Sequence, residues 1–253
     1  MIQGTASLWR QIVQDYERIR REQEEVWRSL SPEESAQLTG ELLLLLQEVE
    51  RSEEQDPERL SMQEMLSRFK ELLDELGAPY VIIGGLAAAI LGVPRTTVDA
   101  AAVLLLSSEE AERLVQLIEG HRFQPEPKAL SKLTEGRPAK FAFSQRFSLD
   151  VRLASFTLDR EVIRRARTFS LLGHSLRFSS PEDLVVYKLA RWVPLDQEDV
   201  RHILRRFGPS LDWPYIEEQV HQLSQEAGLP ELPERWLSLR EQIVIGVTQL
   251  AEG

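Results

Sequence analysis

The 253-residue sequence contains no cysteine. That excludes a disulfide scaffold, a thiolate metal site and a cysteine nucleophile. Histidine is scarce: His121, His174, His202 and His221 are the four in the chain, and no two share the helical or finger spacing of a zinc site. The leucine run Leu42 to Leu46 is far too short to cross a bilayer. Met1 to Gly4 has neither a basic start nor an apolar stretch behind it, so no signal peptide is expected, and a cytoplasmic setting with no membrane partner is. Positive charge is in deficit, with 30 Lys and Arg against 41 Asp and Glu, which argues against indiscriminate nucleic-acid binding.

What remains is an ordinary globular composition, 42% hydrophobic and 28% charged, at a length that suits one large domain or two modest ones. The charge is unevenly spread. Acidic residues lead by 23 to 11 in residues 1–121 and by 8 to 2 in 207–253, whereas basic residues lead by 17 to 10 in 122–206. A basic middle between acidic ends can attract a polyanion, and an uneven solvated surface is the alternative.

Apolar spacing predicts helices over most of the chain. Trp9 to Leu30 recurs at helical spacing, and Ser31-Pro32-Glu33-Glu34 restarts a helix that runs to about Glu50. A polar linker with Pro57 precedes a capped helix from Ser61 to Leu76, stopped by Gly77. The pattern then turns to short strands at 79–83 and 98–106, paired strands at 140–143 and 147–153, and two more flanking Gly173. Residues 124–138 read as a loop, and 180–250 as four further helices. Trp9, Trp27, Trp192, Trp213 and Trp236 fall on helical faces and read as core anchors.

Gly84-Gly85 separates a strand from a short helix, where glycine lets backbone N–H groups approach a ligand and a helix start favours phosphate. Gly92-Val93-Pro94-Arg95-Thr96-Thr97-Val98-Asp99 then leads into the next strand, with Asp99 and position 101 on one face. Asp150 sits inside the later strand Phe147 to Leu153, where a carboxylate needs a partner; a salt bridge to Arg152 or Arg95 is the structural alternative to a ligand role.

These motifs, with Lys188-Leu189 and Asp196-x-x-Asp199-Val200 downstream, resemble the DNA polymerase β-type nucleotidyltransferase superfamily, most closely its AbiEii/MenT-like toxin–antitoxin branch. The resemblance covers about residues 77–206. It implies an α+β fold with a small mixed β-sheet nucleotidyltransferase core at 57–178, an N-terminal helical extension at 1–56 and a C-terminal helical domain at 179–253. It further implies a Mg²⁺-dependent transfer of a nucleotide from an NTP to an acceptor such as a tRNA 3′ end, with an antitoxin protein as a partner. Asp99 and Asp150 would be metal ligands, Gly84, Gly85, Arg95, Thr97 and Lys188 would hold the nucleotide, and Asp199 would steer or deprotonate the acceptor.

One departure stands out. The branch reads Asp-x-Asp where this chain reads Asp99-Ala100-Ala101, so a ligand shared by two metals is missing and turnover is expected to be weak. Three readings stay open: a natural pseudoenzyme, a deliberate replacement of aspartate (favoured by the intact remainder of the motif), or a misaligned motif. The alternative function is a catalytically dead nucleotide-binding or protein-interaction module. The arginines at 160, 164, 165, 167, 201, 205 and 206 could contact RNA, or could be helix-surface charge paired with Asp159, Glu161 and Glu198.

Overall fold

A computed structural model describes residues 29–51, 61–93 and 97–251. The N-terminal helix expected before Ser31, the Pro57 linker and Arg95 lie outside the described residues. Helix α1 (Pro32–Arg51) starts on a reciprocal cap: Glu34 N–H donates to Ser31 Oγ at 3.2 Å and Ser31 N–H to the Glu34 carboxylate at 2.6 Å. Helix α2 (Met62–Leu76) is capped by Ser61 and ends at Gly77, whose φ of 62° is the left-handed turn glycine supplies without strain. Its buried face is Met62, Met65, Leu66, Phe69, Leu72 and Leu73.

Strand β1 (Tyr80–Ile83) runs straight into α3 (Gly84–Ile90). Strand β2 (Asp99–Leu104) follows, and the Ser107/Glu110 capping box opens α4 (Ser108–Ile118). Next come β4 (Ala139–Ala142) and β5 (Ser148–Leu153), then α6 (Thr157–Arg165), β6 (Arg167–Leu171) and β7 (His174–Phe178). Helices α7 (Pro181–Arg191), α8 (Pro194–Phe207), α9 (Trp213–Ala227) and α10 (Leu232–Ala251) complete the chain. Residues 124–138 are not the loop the sequence suggests. They form the two-residue strand β3 (Gln124–Pro125) and the short helix α5 (Ala129–Thr134). Neither carries a periodic pattern: β3 is too short to alternate, and α5 starts after Lys128 in a left-handed conformation with no side-chain cap.

The seven strands make one mixed sheet in the order β3-β4-β5-β2-β1-β7-β6. Two pairings are parallel, β2 with β5 and β1 with β7, and the other four are antiparallel. The architecture is therefore α+β. One buried cluster joins sheet residues such as Val81, Phe141 and Phe178 to Leu66 and Leu86 and to Val200, Ile216 and Trp236 of the C-terminal helices. Trp236 is 1% exposed, with its ring 5.4 Å from that of Trp213. Among the described residues no helix is long and apolar enough to cross a membrane.

A buried ion pair fixes the crossing from β5 into α6. Asp159 is fully buried and accepts both Nη groups of Arg152, the Tyr187 hydroxyl at 2.7 Å and the N–H groups of Ser155 and Phe156 at 2.8 and 2.9 Å. Burial works against its ionisation, but Arg152 and these donors override it and hold the carboxyl below its ordinary value. A lowered folded value means that Asp159 stabilises the fold above the ordinary carboxylate range, and that this contribution is lost as pH falls through the folded value. Asp159→Asn is expected to cost about 1.5–3 kcal/mol at neutral pH. It should also flatten the acid limb of a pH series of urea melts, and an unchanged acid limb would contradict the assignment.

Candidate active site

Two parallel, in-register strands build the site. Asp99 of β2 stands opposite Ser148 of β5, and Ala101 opposite Asp150. On the other side of β5, antiparallel β4 sets Lys140 opposite Asp150. Because side chains alternate along each strand, these five residues share one face, while Ala100 and Ala102 turn into the core at 0% and 1% exposure. The Asp99, Asp150 and Lys140 side chains keep 47%, 37% and 49% of their surface in water.

The polar atoms converge on the lysine. Lys140 Nζ lies 3.2 Å from Asp150 Oδ1 and 3.7 Å from Asp99 Oδ1, and donates to Ser148 Oγ at 2.8 Å. The Ser148 hydroxyl donates in turn to Asp99 Oδ1. Partial burial works to lower the Lys140 pKa, but the two carboxylates outweigh it and hold it above the ordinary lysine value. Thr97 Oγ1 donates to the Asp99 carbonyl at 3.0 Å, fixing the entry into β2.

The diglycine turn borders the same face. Gly84 has a φ of 72°, a region L side chains rarely adopt, and a Cβ added there would stand 3.3 Å from Ala101 Cβ. Bare backbone therefore faces the alanine. Gly85 lies in the first turn of α3.

Lys188 and Asp199 meet each other rather than the carboxylate pair. Lys188 is 3% exposed, and its Nζ donates to Asp196 Oδ1 at 3.0 Å and Asp199 Oδ2 at 2.5 Å. Arg191 Nε donates to Asp196 Oδ2 at 2.5 Å. Burial opposes ionisation of Asp196, but Arg191 and Lys188 hold its pKa below the ordinary value. The Arg191 side chain is 66% exposed, and its hydrogen bond to Asp196 raises its pKa against the opposing effect of partial burial.

Of the residues singled out in the sequence, Gly84, Asp99 and Asp150 come together around Ala101, Thr97 holds the Asp99 carbonyl, and Lys188 and Asp199 form a separate buried cluster. Arg152 is not the partner of Asp150; it turns to Asp159, and Lys140 takes Asp150 instead. Sequence reasoning missed Lys140, Ser148 and Arg191. Three of the arginines considered for RNA have partners within the protein: Arg164 pairs with Glu161 on the helix surface, Arg165 stacks over Tyr215 at 4.0 Å and faces Glu182 and Asp183, and Arg206 lies against Gly92 and donates to the Leu30 carbonyl.

The donor set does not fit the two-metal cradle that the superfamily resemblance implies. Where the resemblance expects a third carboxylate, position 101 carries a methyl group, and the Lys140 ammonium lies within 3.7 Å of both Asp99 and Asp150. Among the described residues no group of three or more His, Cys, Asp and Glu side chains is placed to hold a metal ion.

Residues 60–236 match the family model described as "Nucleotidyltransferase of unknown function (DUF6036)". No curated protein matches the sequence. Among solved structures, the chain is similar to an antigenic nucleotidyltransferase-like protein from Paracoccidioides brasiliensis, at 16% identity and a TM-score of 0.43 over 68% of this chain and 91% of that one. It is similar to the lincosamide antibiotic adenylyltransferase LnuA in its lincomycin-bound form, at 12% identity and a TM-score of 0.42 over 57% and 96%. The antibiotic-resistance factor ANT(2″)-Ia is a further similar structure, at 15% identity and a TM-score of 0.40 over 76% and 97%.

Proposed function

The chain belongs to the DUF6036 family of nucleotidyltransferases, and from that membership we propose that it binds a nucleoside triphosphate beside Gly84 while its nucleotidyl-transfer chemistry is held down by Ala101. One observation carries the reading: carboxylates from two adjacent parallel strands, Asp99 and Asp150, converge on a single cation next to a partly buried glycine turn. Gly84 and Gly85 are only partly buried, so phosphate oxygens can reach main-chain N–H groups there with no side chain of either residue between. Lys140 supplies positive charge on that face, and at the α7–α8 corner the buried Lys188–Asp196–Asp199 cluster holds the exposed Arg191 in place. Transfer also requires charge neutralisation at the reacting phosphate and an activated acceptor hydroxyl, and a site short of one carboxylate supplies neither well.

The finer form of the reading concerns a chain with the carboxylate at 101 restored. Such a form would carry out Mg²⁺-dependent transfer to an acceptor such as a tRNA 3′ end, as a toxin-type enzyme with an antitoxin protein as partner. Support for it comes from the sequence resemblance and from the excess of basic residues in 122–206.

Calorimetric titration with ATP, GTP, CTP and UTP tests the binding. At least one triphosphate is expected to bind one-to-one without being consumed, and Gly84→Val, which places a branched side chain against Ala101, should weaken that binding about tenfold or more. Failure of all four triphosphates to bind would overturn the reading.

A further inference from the structure

We propose that Lys140 is a tethered cation that takes the ground a divalent metal would hold between Asp99 and Asp150, so that this site excludes the metal and meets phosphate without it. Three strands place the ammonium there. β4 carries Lys140, β5 brings Asp150 and Ser148, and β2 brings Asp99, all on one face by register. The ammonium reaches both carboxylates, at 3.2 and 3.7 Å, and the serine between them at 2.8 Å. Ser148 relays to Asp99, so the four groups form one connected polar unit.

The charge balance favours the lysine. Two carboxylates around one ammonium leave a single formal negative charge, whereas a divalent ion entering that unit would meet the ammonium at close range. Mg²⁺ prefers oxygen ligands in near-octahedral array and gives up its waters reluctantly. With alanine at 101 the protein offers it two carboxylates already occupied by a cation that pays no dehydration of comparable size. The lysine side chain is half-exposed, so its ammonium is open to an incoming phosphate oxygen. Phosphate contact rests on the nucleotide reading above; exclusion of the metal rests on Lys140 with alanine at 101 and does not need that reading.

Electron paramagnetic resonance of Mn²⁺ titrated into the full chain, with no nucleotide present, reads the exclusion directly. The unaltered protein is expected to leave Mn²⁺ free at millimolar concentration. Lys140→Met should bind about tenfold or more tightly, because the competing positive charge is gone. Lys140→Gln, which keeps a hydrogen-bond donor for Ser148, should gain affinity in the same direction, and Lys140→Arg should keep the ion out. Tight Mn²⁺ binding by the unaltered chain, or no gain in a folded Lys140→Met or Lys140→Gln protein, would overturn the proposal. A second arm titrates ATP in the presence of EDTA: binding equal to that in Mg²⁺ is expected, and binding that appears only with Mg²⁺ would overturn metal-free recognition. If ATP binds in neither condition, the nucleotide reading and metal-free recognition both fail, and the Mn²⁺ series still decides the role of Lys140.

Discussion

Replacing Ala101 with aspartate is expected to raise Mg²⁺-dependent NTP consumption by about a hundredfold or more. The estimate is a floor, because loss of partners one shell further out from a metal already costs about 10–100-fold in affinity or activity. Position 101 lies on β2 opposite Asp150 and two residues along from Asp99, so a carboxylate there joins both. Space exists because Gly84, the neighbour across the turn, has no Cβ. Three carboxylates then outweigh the single ammonium of Lys140, whose half-exposed side chain can swing into water. The assay incubates both forms with labelled NTPs, Mg²⁺ and total tRNA, and follows nucleotide release and transfer. Equal, near-zero consumption by the two forms would leave the site a binding module whatever stands at 101.

The second large effect is on stability. Lys188→Met is expected to cost about 3–5 kcal/mol, the usual consequence of removing one partner from a buried ion pair. Asp196 and Asp199 are each 1% exposed, and the lysine between them is the cation that touches both. Arg191 still reaches Asp196 after the change, but Asp199 loses its lysine. Guanidinium melts should show the loss. Adding Asp199→Leu to Lys188→Met should recover part of it, since one of the two carboxylates that faced the lysine is then gone. The double variant also separates two roles for Lys188. ATP binding close to that of the unaltered chain fits a lysine that supports the α7–α8 corner, whereas loss of binding in a stable double variant fits direct phosphate contact.

Much of this was legible in the sequence because short-range rules carry it. The caps at Ser31, Ser61, Ser107 and Ser180 and the glycine stop at 77 follow from side-chain chemistry within four residues. Strand alternation put Asp99 and position 101 on one face, whereas setting Asp150 beside them took the resemblance to a known superfamily. Lys140 was within reach as well. The tight closure in which Phe143 N–H donates to the Phe147 carbonyl at 2.9 Å sets the register that puts Lys140 across from Asp150. Reading the two strands as a hairpin about that closure gives the pairing by counting. What could not be counted was burial. The sequence shows Lys188, Asp196 and Asp199 as charges at helical spacing, but it does not show that Trp192, with a φ of 55°, turns the chain so that α8 folds back and seals all three from water. Residues 124–138 escaped for the opposite reason: a two-residue strand and a six-residue helix leave no period to detect.

Hydrogen–deuterium exchange with and without saturating ATP tests the central claim most directly, because it locates the nucleotide without requiring turnover. The expected result is slowed exchange in the Ile83–Ala87 turn and in the hairpin that carries Lys140 and Asp150. Protection confined to another part of the molecule, or none at all, would contradict a nucleotide site built on Asp99, Asp150 and the glycine turn.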